Sequence, residues 1–214
     1  MSTTGDRYSR ISLSDKEIEQ ETYKQYLGGG AEKWKIRGAF QLNFLQRMGL
    51  QPSHTVLDIG CGPVRGGEHI IRYLEPASYW GVDDNRDFIR AAEQIVRRDN
   101  SLKVKAPVIR RVDNFEFSSV DKRFDYALAF SVLNHCNEDQ RRRFLTKLPG
   151  VLKKESKTYI THAKWFTISA LPGTRLRLNA KFNVPEDVSR DLVMEEWGWP
   201  DDKLIFPILE LALA

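Results

Sequence analysis

Three aspartates close short runs of apolar or β-branched residues: Asp58 ends "TVLD", Asp83 ends "YWGVD" and Asp113 follows "VIRRV". Between the first two lies "GCGPVRGG" (60–67), four glycines around one arginine. Carboxylates accept hydrogen bonds from hydroxyls and amines, and glycines let a backbone approach a ligand closely. The loop is not a phosphate-binding P-loop, because Glu68 stands where a lysine would follow the last glycine. It is not the dinucleotide fingerprint G-x-G-x-x-G either, because Arg65 occupies the place of the third glycine. What remains is D-x-G-x-G-x-x-x-G, made by Asp58, Gly60, Gly62 and Gly66. Asp83 lies 21 residues beyond Gly62, near the separation of about 20 at which an acidic residue meets a ribose diol in α/β folds. Asp84 is the rival for that role, and Gly81-Val82 ahead of it favour Asp83 as the strand end. After the third run, Asp113 and Asn114 can meet the exocyclic amine of a base while Phe115 packs on its face.

Two histidines stand where a proton could be taken from a nucleophile. His135 follows the run "FDYALAFSVL" in "VLNHC", and His162 ends "YITH"; each can equally be a wall or loop contact. Asn134 is an orienting group beside the first. His54 and His69 read as surface or packing residues, Tyr126 as core, and Cys61 as a small residue between glycines with no base nearby to activate its thiol.

The elements that must position these residues alternate in period. Trp34, Phe40, Phe44, Leu45 and Met48 recur at helical spacing after Gly28-Gly29-Gly30. Strands are expected at 55–60, 79–83, 107–112, 124–133 and 158–165. Helices are expected at 66–74, 86–99 and 138–152, the last interrupted near Pro149-Gly150. Strand–helix alternation at this spacing gives a Rossmann-like, doubly wound α/β fold, with a mainly parallel sheet covered by helices on both faces. Beyond it, 185–198 reads as a helix and 203–214 as one strand made an edge or bulge by Pro207. Residues 1–32 form a polar arm or cap, and 33–214 a single domain.

With 214 residues, 41% of them hydrophobic, the chain can bury one sizeable core. Two cysteines are too few for a disulfide framework, and the polar N-terminus has no signal-peptide core, so the expected location is cytoplasmic, with no membrane partner. The formal charge of +4 comes from 33 basic residues interspersed with 29 acidic ones. Only Arg141-Arg142-Arg143 stands out, and it reads as a solvated helix face rather than a nucleic-acid track. No third hard-oxygen ligand joins the carboxylates, so no metal is expected.

These elements, above all "LDIGCG" after a strand followed by "RGG", resemble the class I S-adenosylmethionine-dependent methyltransferases over roughly residues 33–165, in particular small bacterial members. The resemblance implies S-adenosyl-L-methionine as cofactor. It implies that Asp58 orients the methionine amino group and that the backbones of Gly60, Cys61 and Gly62 pass under the methionine moiety. Asp83 takes the ribose hydroxyls, Asp113 and Asn114 the adenine edge, and Phe130 and Ser131 the side nearest the sulfonium. The carboxylate that catechol-type enzymes place after the fourth strand for magnesium, and the Asn-Pro-Pro-Tyr type motif, are both replaced by "FSVLNH". The chain departs from the family at Glu155-Ser156, in place of a Gly-Gly turn, read as a loop change. It also departs at the C-terminus, where only one convincing strand remains and 166–185 reads as a substrate-binding insertion with Arg175, Arg177 and Lys181 suited to an anion. The expected activity is metal-independent methyl transfer to a small-molecule acceptor: a sugar hydroxyl, carboxylate or amine. His135 and His162 are the candidate bases. The alternatives are a peptide or RNA methyltransferase and an inactive cofactor-binding scaffold. Oligomeric state is open.

Overall fold

The computed structural model describes residues 11–25, 27, 30–161, 174–182 and 208–214. Its centre is a seven-stranded sheet of order β3-β2-β1-β4-β5-β7-β6. The strands are β1 (Val56–Ile59), β2 (Tyr79–Asp83), β3 (Val108–Arg111), β4 (Phe124–Ala129), β5 (Leu152–Thr161), β6 (Leu176–Phe182) and β7 (Ile208–Leu213). The first five pair in parallel; β7 runs antiparallel to both β5 and β6. The helices are α1 (Asp15–Gln20), α2 (Ala31–Arg47), α3 (Gly67–Tyr73), α4 (Arg86–Arg98), α5 (Asn100–Lys103) and α6 (Glu138–Lys147).

Strands buried on both sides carry near-continuous apolar runs, as covered parallel strands must. Val56 and Leu128 turn toward a core shared with α2, α3 and α4, through Phe44, Ile70, Ile71, Phe88 and Ile95. Leu57, Ile59, Val82 and Ala127 turn to the other core, closed by Phe144 and Leu145 of α6 and by Phe117. The strand order reverses direction between β1 and β4, and in open α/β sheets ligands bind at the carboxyl ends beside such a switch.

Two expectations are corrected. The C-terminus is not reduced to one strand: β6 and β7 form a complete antiparallel hairpin, and β6 comes from within 166–185. Arg177 therefore sits on the outer strand, its Nε donating to the Leu213 carbonyl at 3.3 Å, while Arg175 is exposed just ahead of β6. Glu155-Ser156 is not a loop but part of β5, where the ladder with β4 jumps from the Phe124–Leu152 pair to the Tyr126–Lys157 pair and the intervening residues bulge. A buried carboxylate fixes the hairpin register: Glu210 accepts from the Tyr159 hydroxyl at 2.6 Å and from the Asn179 amide. A slip of one residue would carry Glu210 to the opposite face. The expected helix at 185–198 and the rest of 166–185 lie outside the described residues.

Candidate active site

Beyond the ends of β1, β2 and β4 lies a cavity of about 410 Å³, within the size range of small-molecule sites. Its floor is the loop after β1. Gly60 and Gly62 adopt φ of 70° and 53°, conformations that glycine takes without strain. A side chain at Gly60 would also meet Val132 Cγ2 at 2.4 Å. The backbone N–H groups of Gly60 and Cys61 both donate to the Val82 carbonyl, at 2.7 and 3.1 Å, pinning the loop to β2. Cys61 is buried and its thiol pKa lies well above the usual value because of that burial, which suits a space-filling role.

Asp58 is buried and accepts from the Tyr79 hydroxyl at 2.7 Å. Burial pushes its pKa up to about 7, against the Tyr79 hydrogen bond, with the neighbouring Asp83 charge adding to the rise. Asp83 accepts from the Gly62 N–H at 2.9 Å on one oxygen and from the Asn85 N–H at 2.9 Å on the other. A carboxylate offers about four acceptor positions, so these two backbone donors do not exhaust it, although the Asp84 carboxyl also lies within hydrogen-bond reach. Burial again dominates, raising the Asp83 pKa to about 6.

The cavity wall includes Asp58, Gly60, Cys61, Gly62, Asp83, Asn114, Phe130, Ser131 and His135 together. Asp113 is not among them: its carboxylate is 67% exposed and pairs with Arg111 at 2.5 Å. His162 lies outside the described residues. Asp84 joins the wall as well, its pKa raised mainly by burial. Phe130 packs against Phe40 and Phe44 of α2, and the Ser131 N–H donates to Thr161 Oγ1 at 2.7 Å. His135 ends a short 3-10 turn and is half-buried. His54 accepts from the Gln51 N–H at 2.9 Å, a local turn contact. The Tyr126 hydroxyl donates to Met48 O from within the core.

Sequence reasoning passed over one whole side of the site. Trp34, Arg37 and Gln41 of α2 line the cavity beside Arg65 of the loop, with the Arg65 guanidinium 5.7 Å from the Trp34 ring centre. Two glycines let α2 sit this close. A Cβ at Gly38 would fall 2.4 Å from the Arg65 carbonyl, and one at Gly66 would fall 1.9 Å from Gln41 Oε1. The available signal was Arg65 itself, a cation in a loop otherwise built of small residues.

Trp34 Nε1, Asn114 Oδ1 and Asn134 Oδ1 are buried, belong to residues of this wall, and have no hydrogen-bond partner. Each such group costs about 1–3 kcal/mol when left unmade, so the wall is chemically incomplete by itself. An indole N–H donor with guanidinium groups suits a carboxylate; a buried carboxylate and an amide oxygen suit amines; Asp83 suits a diol. Together they fit an amino-acid tail joined to a nucleoside.

The family model for a methyltransferase domain matches residues 56–155, the span from β1 into β5. Among solved structures, the chain is similar to a SAM-dependent methyltransferase from Aquifex aeolicus, at 14% identity over 95% of this chain and 100% of that one, TM-score 0.66. It is similar to the magnesium protoporphyrin IX methyltransferase of Synechocystis, determined with bound SAM, at 14% identity over 96% and 100%, TM-score 0.63. A TehB-like SAM-dependent methyltransferase from Corynebacterium glutamicum aligns at 16% identity over 93% and 97%, TM-score 0.60. At these identities the structural likeness speaks for the shared fold.

Proposed function

The chain is a class I S-adenosylmethionine-dependent methyltransferase with S-adenosylmethionine as its cofactor, and from this premise we propose that it methylates a small-molecule acceptor by direct displacement, without a metal. The observation that carries the reading is the convergence of Asp58, the Gly60–Gly62 backbone, Asp83 and His135 on one cavity. S-adenosylmethionine, when bound, supplies a methyl group on a positively charged sulfur.

This chain's residues do the rest. Asp58, as carboxylate, takes the amino group, and Arg37, Arg65 and Trp34 face the carboxylate of the same tail. Asp83 accepts from the ribose hydroxyls. Asn114 meets the adenine edge, with Phe115 against the ring, and Asp113 reaches that edge only by giving up Arg111. Phe130 and Ser131 flank the reacting centre. His135 removes the proton of a hydroxyl acceptor; an amine in its neutral form needs alignment alone. His162 stands as the second candidate base.

A small acceptor is supported by the fold neighbour named for magnesium protoporphyrin IX. Among the described residues no helix is long and apolar enough to cross a membrane. A cytoplasmic setting, supported by the free thiols Cys61 and Cys136, belongs to the same reading. The test is incubation of the chain with methyl-labelled S-adenosylmethionine and fractionated cell extract. Label in the small-molecule fraction, lost in His135→Gln, supports the proposal. Label confined to peptide or RNA, or firm cofactor binding with no transfer to any fraction, overturns it.

A further inference from the structure

Ile11–Gln25 form a strap whose two ends reach the cavity through one intervening residue or ring: Asn85, which holds the wall residue Asp83, at one end, and Trp34, itself part of the wall, at the other. At one end Asn85 Nδ2 donates to the Ile11 carbonyl at 2.8 Å, while Asp87 Oδ2 accepts from the Ser12 hydroxyl at 3.1 Å and the Leu13 N–H at 2.9 Å. Between the ends, α1 lies along α4, held by the Asp15–Arg90 pair and by Arg98 donating to the Glu19 carbonyl at 2.8 Å, with Leu13 and Ile18 buried beneath. At the other end the buried ring of Tyr23 meets Trp34 edge-on, 5.9 Å between centres, and Trp34 is part of the cavity wall.

Asn85 is the joint. It is 5% exposed; its side-chain oxygen caps α4 by accepting from the Asp87 and Phe88 N–H groups, and its own N–H holds Asp83 Oδ1. Capping alone does not explain an amide here, because aspartate caps a helix as well as asparagine does. What the amide adds is the donor to Ile11. An aspartate at 85 would keep the cap, lose the strap, and turn an acceptor toward a carbonyl.

We propose that Asn85 is a positioning residue through which the N-terminal strap sets the orientation of Asp83, so that strap docking and cofactor affinity are coupled. The proposal rests on the assignment of Asp83 to the ribose. Coupling of this kind is reciprocal: if a docked strap favours the ligand, the ligand must favour the docked strap by the same factor.

The test uses the full chain, S-adenosylhomocysteine as probe, calorimetry for affinity and amide hydrogen exchange for the strap. Asn85→Asp and Asp87→Ala should each weaken binding about tenfold, within the usual range of coupling between sites. Asp87 holds the strap without touching Asp83, so its variant separates strap release from any added charge beside Asp83. The double variant should lose little more than the worse single one, as residues of one network do. In the wild type, the probe should slow exchange at 11–20. Wild-type affinity in Asp87→Ala with the strap amides released, or strap exchange indifferent to the probe, overturns the coupling. Asp83→Asn binding as well as wild type overturns the ribose assignment on which it rests, and is told apart by the strap still responding to the probe.

Discussion

The loop after β1 and the turn after β4 face one cavity and are finished to different degrees. In the loop, Gly60 and Cys61 donate to Val82, Gly62 donates to Asp83, and Asp58 accepts from Tyr79. In the turn, Ser131 is exposed at φ 61°, His135 is half-buried, and the buried Asn134 oxygen has no partner. A wall whose polar groups are satisfied keeps its shape with or without ligand, whereas an unmade buried acceptor gains when a donor arrives. On the function proposed above, the loop is a preformed cradle for the cofactor and the turn is the side left for an acceptor to complete.

The hardest way to break this contrast is at the point where the two regions touch. Gly60→Ala places a Cβ against Val132 and demands a left-handed backbone from alanine. The expected cost is about 2 kcal/mol or more in denaturant unfolding, with at least a tenfold loss of S-adenosylmethionine affinity. An alanine variant that binds and folds like wild type would show that the cradle is not set by its backbone.

His135→Gln separates the regions by function. With a hydroxyl acceptor, turnover should fall about 100-fold while calorimetric affinity for S-adenosylmethionine stays unchanged. An equal fall in both would assign His135 to the cradle instead.

Acid should act on the cradle. Asp58 and Asp83 have pKa values raised by burial to about 7 and about 6, so below those values the free protein holds protons there; an ammonium group bound at Asp58 displaces one, and a diol donates best to Asp83 once the other is lost. Affinity should therefore rise with pH from 5 to above 7 and then level, by up to about tenfold per pH unit for each group still protonated. Folding stability takes the opposite sign: these carboxyls keep protons that the unfolded chain releases near pH 4, so their contribution declines as pH rises toward 7. Affinity flat across that range would contradict the roles given to both. The smallest effect sharpens the same point. Tyr79→Phe removes a hydrogen bond that lowers the Asp58 pKa, so the binding midpoint should move to higher pH while affinity at pH 8.5 barely changes.

The cradle was largely legible in the sequence because its requirements are local. Gly60 and Gly62 are where the backbone turns left-handed, and Asp58 and Asp83 stand at strand ends whose apolar runs announce them. The elements β1, β2 and α4 fall within a residue or two of their periodicity. The side built by α2 was not legible: Trp34, Arg37 and Gln41 reach the cavity only because Gly38 and Gly66 let one element press on another. Strand β6 escaped for a related reason. Arg175, Arg177 and Lys181 made "RLRLNAKF" read as a ligand loop, whereas its strand character comes from pairing with β7, a neighbour distant in the chain. Asp113 shows the limit of position alone, since the residue falls at a strand end and its side chain is engaged by Arg111.

Titration of S-adenosylmethionine into the full chain at pH 8, beside the Asp58→Ala variant, tests the central claim most directly. The wild type should bind at a single site, and the variant should bind about 10- to 100-fold more weakly, the loss expected for a hydrogen bond to a charged group. No binding by the wild type at sub-millimolar ligand, or equal binding by both, would contradict the account.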